Sequence, residues 1–130
     1  MNNILFISPS TEDARTLNLM LDALPASVSH ALSLKEADAL LNSGSFQVVV
    51  TEARLPDGEW TDVVQRVRKS GRKVAVVVTD RFADGRFWIE VLDGGAYDLL
   101  PQPFYRGEVQ RILSSAIAQP SPVRKVAPAA

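Results

Sequence analysis

The chain has 130 residues, a size typical of one domain with a single hydrophobic core. Its net charge of -1 argues against binding nucleic acid through a basic surface, and its lack of cysteine excludes disulfides and thiolate metal sites. No apolar segment approaches the length of about 20 residues that a membrane-spanning helix needs, and no signal-peptide pattern is present. We therefore expect a cytoplasmic globular protein without membrane attachment.

Short apolar runs alternate with segments of helical periodicity in the first third of the chain. The run 4–7 predicts a strand buried on both faces, and 28–31 predicts a weaker second strand. A helix is expected after each strand, because Ser10 and Ser33 each have an acidic residue three positions later, as in a capping box. The second helix is predicted to end at Gly44 in a left-handed conformation.

The same alternation continues through the rest of the chain. A β-branched strand is expected over 46–51, and Leu55–Gly58 has the Pro and Gly spacing of a turn. A helix over 61–69 is predicted to end at Gly71. The further predicted elements are a strand over 73–78, a helix over 84–93, a strand over 97–100 and a last helix with Val109, Ile112, Leu113, Ala116 and Ile117 on its apolar face.

Five strand–helix units predict a parallel sheet covered by helices on both faces, in one domain over residues 1–118. Ligands of such sheets bind beyond the carboxyl ends of the strands, so a site is expected at the loops after Ile7, Thr51 and Val78. Residues 119–130 are rich in Pro and Ala and are expected to be a disordered tail or the start of a linker.

Several kinds of active site are excluded by the residues at these loops. No glycine-rich phosphate or dinucleotide motif follows the first strand, and no Gly-x-Ser-x-Gly elbow is present. The one histidine, His30, falls on an early strand rather than on a late loop, where a Ser-His-Asp hydrolase needs it. We therefore expect His30 to be a surface or edge residue.

Four segments carry a resemblance to a known family. The segment 46–58 ends a buried strand in an acidic residue and continues as Leu-Pro-Asp-Gly, and 76–79, 94–98 and 102–104 follow at matching intervals. In that order they resemble the third strand with its loop, the fourth strand, the approach to the fifth strand and the Lys-Pro-Phe motif of response regulator receiver domains. The resemblance covers residues 3–118.

The resemblance implies a flavodoxin-like α/β fold. We expect a doubly wound, five-stranded parallel sheet of order 2-1-3-4-5 with five helices, arranged as a three-layer sandwich. Receiver domains usually have a cis bond before the proline of the Lys-Pro-Phe motif, and X-Pro is the peptide bond where cis is common. The bond before Pro103 is therefore predicted to be cis.

Most positions that carry phosphoryl chemistry in receiver domains are altered here. Ser8 and Pro9 stand where two acids would hold Mg²⁺, and Glu52 replaces the phosphoacceptor aspartate. Gln102 replaces the lysine that pairs with the phosphoryl oxygens, and Leu99 replaces the switch aromatic. We therefore expect no Mg²⁺ site and no catalytic residue. The predicted degenerate phosphoacceptor pocket consists of Ser8, Pro9, Glu52, Thr79 and Gln102.

Two acidic side chains near this pocket allow different interpretations. Asp13 is expected to cap the first helix rather than bind metal. Glu52 would imitate a phosphorylated aspartate if the hydroxyl of Thr79 and the side chain of Arg54 or Arg81 bound its carboxylate. The alternative, which we favour, is that Glu52 is a solvated loop carboxylate.

A protein-binding surface is expected in the last third of the domain. Six of the nine aromatic residues lie between Phe82 and Tyr105, and aromatics are enriched where proteins bind one another. Phe87 and Trp88 are adjacent on a predicted helix, so they cannot both face the hydrophobic core of the domain. The resemblance assigns this region to the face formed by the fourth helix, fifth strand and fifth helix of receiver domains. The predicted partner surface is Phe87, Trp88, Tyr97 and Tyr105.

The sequence predicts an atypical receiver domain of bacterial two-component (phosphorelay) signalling. We expect a phosphorylation-independent interaction module that binds a histidine kinase, an output domain or a second copy of itself. The alternative is a conventional phosphoacceptor that a histidine kinase phosphorylates on Glu52 or another acid. An enzyme of another class has no constellation in its favour, and neither a cofactor nor a nucleic acid partner is expected.

Overall fold

The computed structural model describes residues 2–118. The predicted tail at 119–130 lies outside the described residues. The elements in chain order are β1 (Asn2–Ile7), α1 (Thr11–Met20), β2 (Ala26–Ala31), α2 (Leu34–Ser43), β3 (Val48–Glu52), β4 (Arg54–Leu55), β5 (Gly58–Glu59), α3 (Trp60–Ser70), β6 (Ala75–Asp80), α4 (Gly85–Asp93), β7 (Asp98–Pro101) and α5 (Arg106–Ala118). Within residues 2–118, every helix is too short or too polar to cross a membrane.

The main sheet has five parallel strands in the order β2-β1-β3-β6-β7. This is the predicted order 2-1-3-4-5, because β4 and β5 form a separate antiparallel hairpin. Two apolar clusters flank the sheet: α2, α3 and α4 pack on one face, and α1 and α5 pack on the other. The residues 4–7 and 48–50 are fully buried because helices cover them on both faces. The three-layer architecture is thereby confirmed.

The helix caps agree with the sequence at three of four predicted points. Ser10 Oγ accepts a hydrogen bond from the backbone of Asp13, and Ser33 Oγ accepts one from Glu36. Gly71 ends α3 with a φ of 68°, in the left-handed region. Gly44 is different, because its backbone is extended with a φ of -120°.

Gly44 is favoured by the limited space around it rather than by its backbone conformation. A Cβ at this position would lie 3.0 Å from the ring of Phe46 and 3.1 Å from the carbonyl oxygen of Leu40. The helix therefore ends where Phe46 turns back against it. The expectation of a left-handed Gly44 was wrong because it considered the chain locally and not this contact.

The hairpin of β4 and β5 is tied to α2 through its tip. Asp57 accepts hydrogen bonds from the first two amides of that helix, Leu34 at 2.8 Å and Lys35 at 3.0 Å. These amides, with Leu34 first, lower the pKa of Asp57 by stabilising its ionised form. The turn Leu55–Gly58 predicted from the sequence therefore also caps a helix that precedes it by about 20 residues in the chain.

Gly94, at the end of α4, lets α4 pack closely on α3. A Cβ at Gly94 would overlap the six-membered ring of Trp60, and Trp60 is buried and cannot move aside. The backbone of Gly94 is right-handed helical, so its conformation would allow alanine, and only the limited space disfavours it. Gly85, at the start of the same helix, has open space around it.

We expect Gly94→Ala to lower the free energy of unfolding by about 1–3 kcal/mol, the usual cost of overpacking a core. Gly85→Ala is the matched control and is expected to be neutral or stabilising by up to about 1 kcal/mol, because it raises helix propensity without a clash. Urea unfolding of both variants followed by circular dichroism measures the difference. Equal stabilities of the two variants would contradict this role of Trp60.

Candidate functional site

Three neighbouring strands end together at the carboxyl edge of the sheet. Ile7 of β1 lies opposite Thr51 of β3, and Glu52 lies opposite Thr79 of β6. Because parallel strands present their carboxyl ends at the same edge, the residues that follow them converge. Ser8, Glu52 and Thr79 therefore lie side by side, as the predicted pocket requires.

Ser8 and Glu52 are joined by a hydrogen bond. The hydroxyl of Ser8 donates to Oε2 of Glu52, and the same hydroxyl accepts from the backbone of Ser10 at 3.0 Å. Ser8 is fully buried, whereas Pro9 is exposed and offers no polar side chain. The two positions where receiver domains have acids thus supply one hydroxyl, and that hydroxyl is already engaged by Glu52.

Glu52 lies in a partly buried and mostly acidic environment. Burial raises the pKa of its carboxyl, and the nearby carboxylates Asp13 and Asp80 raise it further. The Ser8 hydrogen bond and the positive charge of Arg81 act in the opposite direction but do not cancel the rise. Glu52 is therefore not the solvated loop carboxylate that the sequence favoured, because it belongs to β3 and is bonded to β1.

Asp13 faces the pocket instead of capping α1 with its side chain. Its carboxylate lies 3.4 Å from the guanidinium of Arg81, and the cap of α1 is the side chain of Ser10. The pattern Ser-x-x-Asp predicted the cap by Ser10 but not the reciprocal bond of a full capping box. In a full box the amide of Ser10 would donate to Asp13, and here it donates to the hydroxyl of Ser8. Arg81 is thus shared between two carboxylates, and Arg54 is exposed on β4.

The side chains of Thr79 and Gln102 make no hydrogen bond to Glu52. The buried hydroxyl of Thr79 donates to the carbonyl of Leu100 at 2.7 Å, so the hydrogen bond that an imitation of phosphoaspartate would need is absent. The side chain of Gln102 is also buried, and its Nε2 has no hydrogen-bond partner within residues 2–118. The peptide bond from Gln102 to Pro103 is cis, in agreement with the expectation. Leu99, at the switch position, is buried in the core.

The ring of His30 contacts the backbone of the pocket residue Ser8, which the sequence did not indicate. It lies on the edge strand β2 as expected, and its ring stacks on Phe6 with centroids 6.1 Å apart. Its Nε2 donates to the carbonyl oxygen of Ser8 at 2.7 Å. The signal that could have predicted this contact is the parallel register, which places His30 opposite Phe6.

The four residues of the predicted partner surface do not share one environment. Phe87 is partly buried and packs edge-to-face on Trp60, so it belongs to the core side of α4. Trp88 is about half exposed, and its indole donates to Asp98 at 3.0 Å. The hydroxyl of Tyr97 lies 2.8 Å from Ser115 Oγ. Tyr105 is 65% exposed. Trp88 and Tyr105 are thus exposed, whereas Phe87 is only partly exposed.

The donor set of the pocket does not fit Mg²⁺. This ion needs near-octahedral coordination by oxygen, usually including carboxylates that are free to bind it. Asp13 is paired with Arg81, and Glu52 is bonded to Ser8. Within residues 2–118, no three His, Cys, Asp or Glu side chains come close enough to hold a metal ion together.

Known proteins with similar sequences are response regulators. Response regulator protein PilR of Pseudomonas aeruginosa is 26% identical over 124 residues, which make up 95% of this chain and 28% of PilR. The DNA-binding transcriptional regulator NtrC of Rhizobium meliloti is 32% identical over 78 residues, which make up 60% of this chain and 16% of NtrC. The chain thus spans less than a third of the length of these relatives. No protein-family model matches it.

Solved structures with the same fold include two receiver domains. The beryllofluoride-activated NtrC4 receiver domain dimer has a TM-score of 0.84 at 20% identity, and the match covers 93% of this chain and all of that chain. A response regulator receiver domain protein from Clostridium thermocellum has a TM-score of 0.79 at 22% identity, with 91% and 95% covered. At these identities the likeness establishes the fold.

We expect the stability of Glu52→Gln relative to the parent to increase as the pH rises from about 4 to about 8. Burial holds the folded pKa of Glu52 above its unfolded value, so the unfolded chain ionises first and folding becomes less favourable through that window. Glutamine cannot ionise, yet its amide oxygen still accepts from Ser8. Urea unfolding at several pH values measures the difference. Glu90→Gln, which removes an exposed carboxylate from α4, is the control for loss of one negative charge.

The prediction would be contradicted if the difference in free energy of unfolding between Glu52→Gln and the parent were the same at both ends of this pH window. Such a result would mean that the carboxyl of Glu52 has the same pKa in the folded and unfolded chain.

Proposed function

We propose that the chain is a degenerate receiver domain of two-component response regulators and acts as a phosphorylation-independent interaction module. The observation that carries this proposal is the hydrogen bond from Ser8 to Glu52. It joins the position of the missing acid pair to the position of the phosphoacceptor. The residues that bind metal and phosphate in receiver domains are replaced here by a contact within the protein.

Glu52 is poorly suited to accept a phosphoryl group. One of its carboxylate oxygens is bonded to the buried hydroxyl of Ser8, and its side chain is one methylene longer than that of aspartate. In-line transfer depends on close positioning of the attacking oxygen, and a displacement of about 1 Å can cost orders of magnitude in rate. A carboxylate held towards β1 by a hydrogen bond lacks that positioning.

The charge balance of the pocket also opposes phosphoryl binding. A phosphoryl group carries negative charge, which receiver domains neutralise with Mg²⁺ and a lysine. Here the lysine position holds uncharged Gln102, and Glu52, Asp13 and Asp80 surround one cation, Arg81. The burial of further negative charge among these carboxylates is unfavourable.

Glu52 acts as a structural connection rather than as a copy of phosphoaspartate. An imitation of the phosphorylated state needs contacts from the carboxylate towards β6, where Thr79 lies. The hydroxyl of Thr79 donates instead to Leu100, and Glu52 is bonded on the side of β1. The domain therefore keeps one state without chemical input, and regulation depends on which partner it binds.

The partner surface is the face formed by α4, β7 and α5. Trp88 presents a half-exposed indole, fixed by Asp98, and Tyr105 is exposed at the start of α5. Exposed aromatics with fixed orientation are frequent binding hot spots. The beryllofluoride-activated NtrC4 receiver domain, which has the same fold, is a dimer. We infer that a second copy, a histidine kinase or an output domain binds here, in the cytoplasm and without catalysis by this domain.

We expect the amide NMR spectrum of the chain to be unchanged when Mg²⁺ and then beryllofluoride are added, because the pocket has Ser8 and Pro9 in place of an acid pair and Gln102 in place of a lysine. The signals of Ser8, Glu52, Thr79 and Gln102 are the ones to follow. A variant with Ser8→Asp, Pro9→Asp, Glu52→Asp and Gln102→Lys restores the family's residues and serves as the positive control. Saturable shifts in the parent chain would support the alternative, a conventional phosphoacceptor that uses Glu52 or another acid.

We expect the chain to dimerise in sedimentation equilibrium, with dimerisation about tenfold weaker in Trp88→Ser, the scale of one aromatic hot spot. Leu19→Ser is the matched control, because Leu19 is an apolar side chain that is 62% exposed on α1, away from this face. A parent chain that remains monomeric throughout would exclude self-association and leave a different protein as the partner. Equal effects of both substitutions would contradict the choice of face.

A further inference from the structure

A cavity of about 390 Å³ lies between α2 and α3 at the amino edge of the sheet. It is therefore at the opposite end of the strands from Ser8 and Glu52. Its volume falls in the range of pockets that bind small molecules, about 300–1,000 Å³. No step of the proposed function uses this cavity.

The inner wall of the cavity is apolar. It is formed by Leu41 of α2, Phe46 before β3, Val67 of α3 and Val74 before β6. Val67 and Val74 are buried in the core, whereas Leu41 and Phe46 are partly exposed and pack against it. The cavity thus offers an apolar surface that is continuous with the hydrophobic core and accessible from outside.

The rim of the cavity is positively charged and partly fixed in position. Arg66 donates through Nε to Asp38 at 2.6 Å, and Arg72 donates through Nη1 to the carbonyls of Gly44 at 2.8 Å and Leu41 at 3.3 Å. The rim therefore has the cations Arg66, Arg72 and Lys69 against one carboxylate, Asp38.

The guanidinium groups of the rim keep donors for a ligand. Each guanidinium has five N–H donors, and the hydrogen bonds described involve only Nε and Nη1 of Arg66 and only Nη1 of Arg72. Because neighbouring contacts already fix both groups, a ligand would not need to order them on binding. A planar carboxylate matches the fork of a guanidinium and can accept two parallel hydrogen bonds from it.

We propose that this cavity binds a small amphipathic carboxylate, with its apolar body against Phe46 and Val74 and its carboxylate at the cationic rim. Burial of the apolar body provides the main favourable free energy, and the cations select an anionic head group. The site spans α2 and α3 and connects to the loop before β6. It gives a domain without phosphoryl chemistry a way to respond to a small ligand, and its existence does not depend on how Glu52 behaves.

The test is an amide NMR titration of the full chain with sodium octanoate. Saturable shifts are expected for Phe46, Val67 and Val74, and octyltrimethylammonium, which has the same tail and the opposite charge, should not produce them. Lys69→Glu should weaken octanoate binding roughly fivefold, the scale of one exposed ion pair. Lys73→Glu is the matched control, because Lys73 is exposed nearby but does not line the cavity, and it should leave the affinity unchanged.

Three results would overturn the proposal. The first is the absence of saturable shifts at the cavity amides with octanoate. The second is an equal response to the cationic surfactant, which would indicate unspecific apolar binding. The third is an equal loss of affinity in Lys69→Glu and Lys73→Glu, which would indicate a general effect of net charge. All three leave the Mg²⁺ and beryllofluoride experiment unaffected, so the two proposals fail or hold separately.

Discussion

The parallel register of β1, β3 and β6 is the constraint on which the rest of the site depends. It sets Ile7 against Thr51 and Glu52 against Thr79, so the chain emerges from three buried strands at one edge. Helices cover both faces of these strands, and little room is left for polar side chains except at that edge. A residue placed there must therefore find a partner among the few side chains of the neighbouring loops.

Glu52 illustrates how this constraint selects a partner. Its carboxylate is partly withdrawn from water, which favours the neutral form and makes a hydrogen-bond donor valuable. Three strands converge at this edge, yet the hydroxyl of Thr79 is turned to Leu100 and the amide nitrogen of Gln102 makes no hydrogen bond to Glu52. Ser8 is the donor that remains, and its replacement of an acid removes a like charge from the pocket. The substitutions at Ser8 and Glu52 are thus mutually consistent in electrostatic terms.

The fold was largely predictable because its signals are local. Continuous apolar runs located the strands β1, β3 and β6, and weaker patterns located β2 and β7. Ser10, Ser33 and Gly71 marked helix ends through groups within four residues of one another. Strand boundaries shifted by one or two residues, since the edges of a parallel strand depend on its neighbours. The two-residue strands β4 and β5 were predicted as a turn, which describes their centre but not their pairing.

The site was less predictable because its contacts join distant segments. Glu52 was expected to be solvated, or to bind Thr79 if it imitated phosphoaspartate, whereas its carboxylate is hydrogen-bonded to Ser8, 44 positions earlier in the chain. Asp13 pairs with Arg81 across 68 positions, a contact that no local pattern encodes. The alignment of motifs identified the residues of the pocket. The hydrogen-bond partner of each residue could be identified only from the three-dimensional structure.

Asp57 shows how a motif beside the pocket can have a structural role of its own. The Leu-Pro-Asp-Gly turn follows the phosphoacceptor position and is easily taken as part of the reaction centre. In this chain its aspartate holds the amino end of α2, which accounts for its presence without any phosphate. Selection on folding alone would preserve such a turn while the neighbouring acids diverge. A motif that indicates ancestry can thus be retained for folding alone, and the residues of the reaction centre itself are the ones that bear on whether the reaction survives.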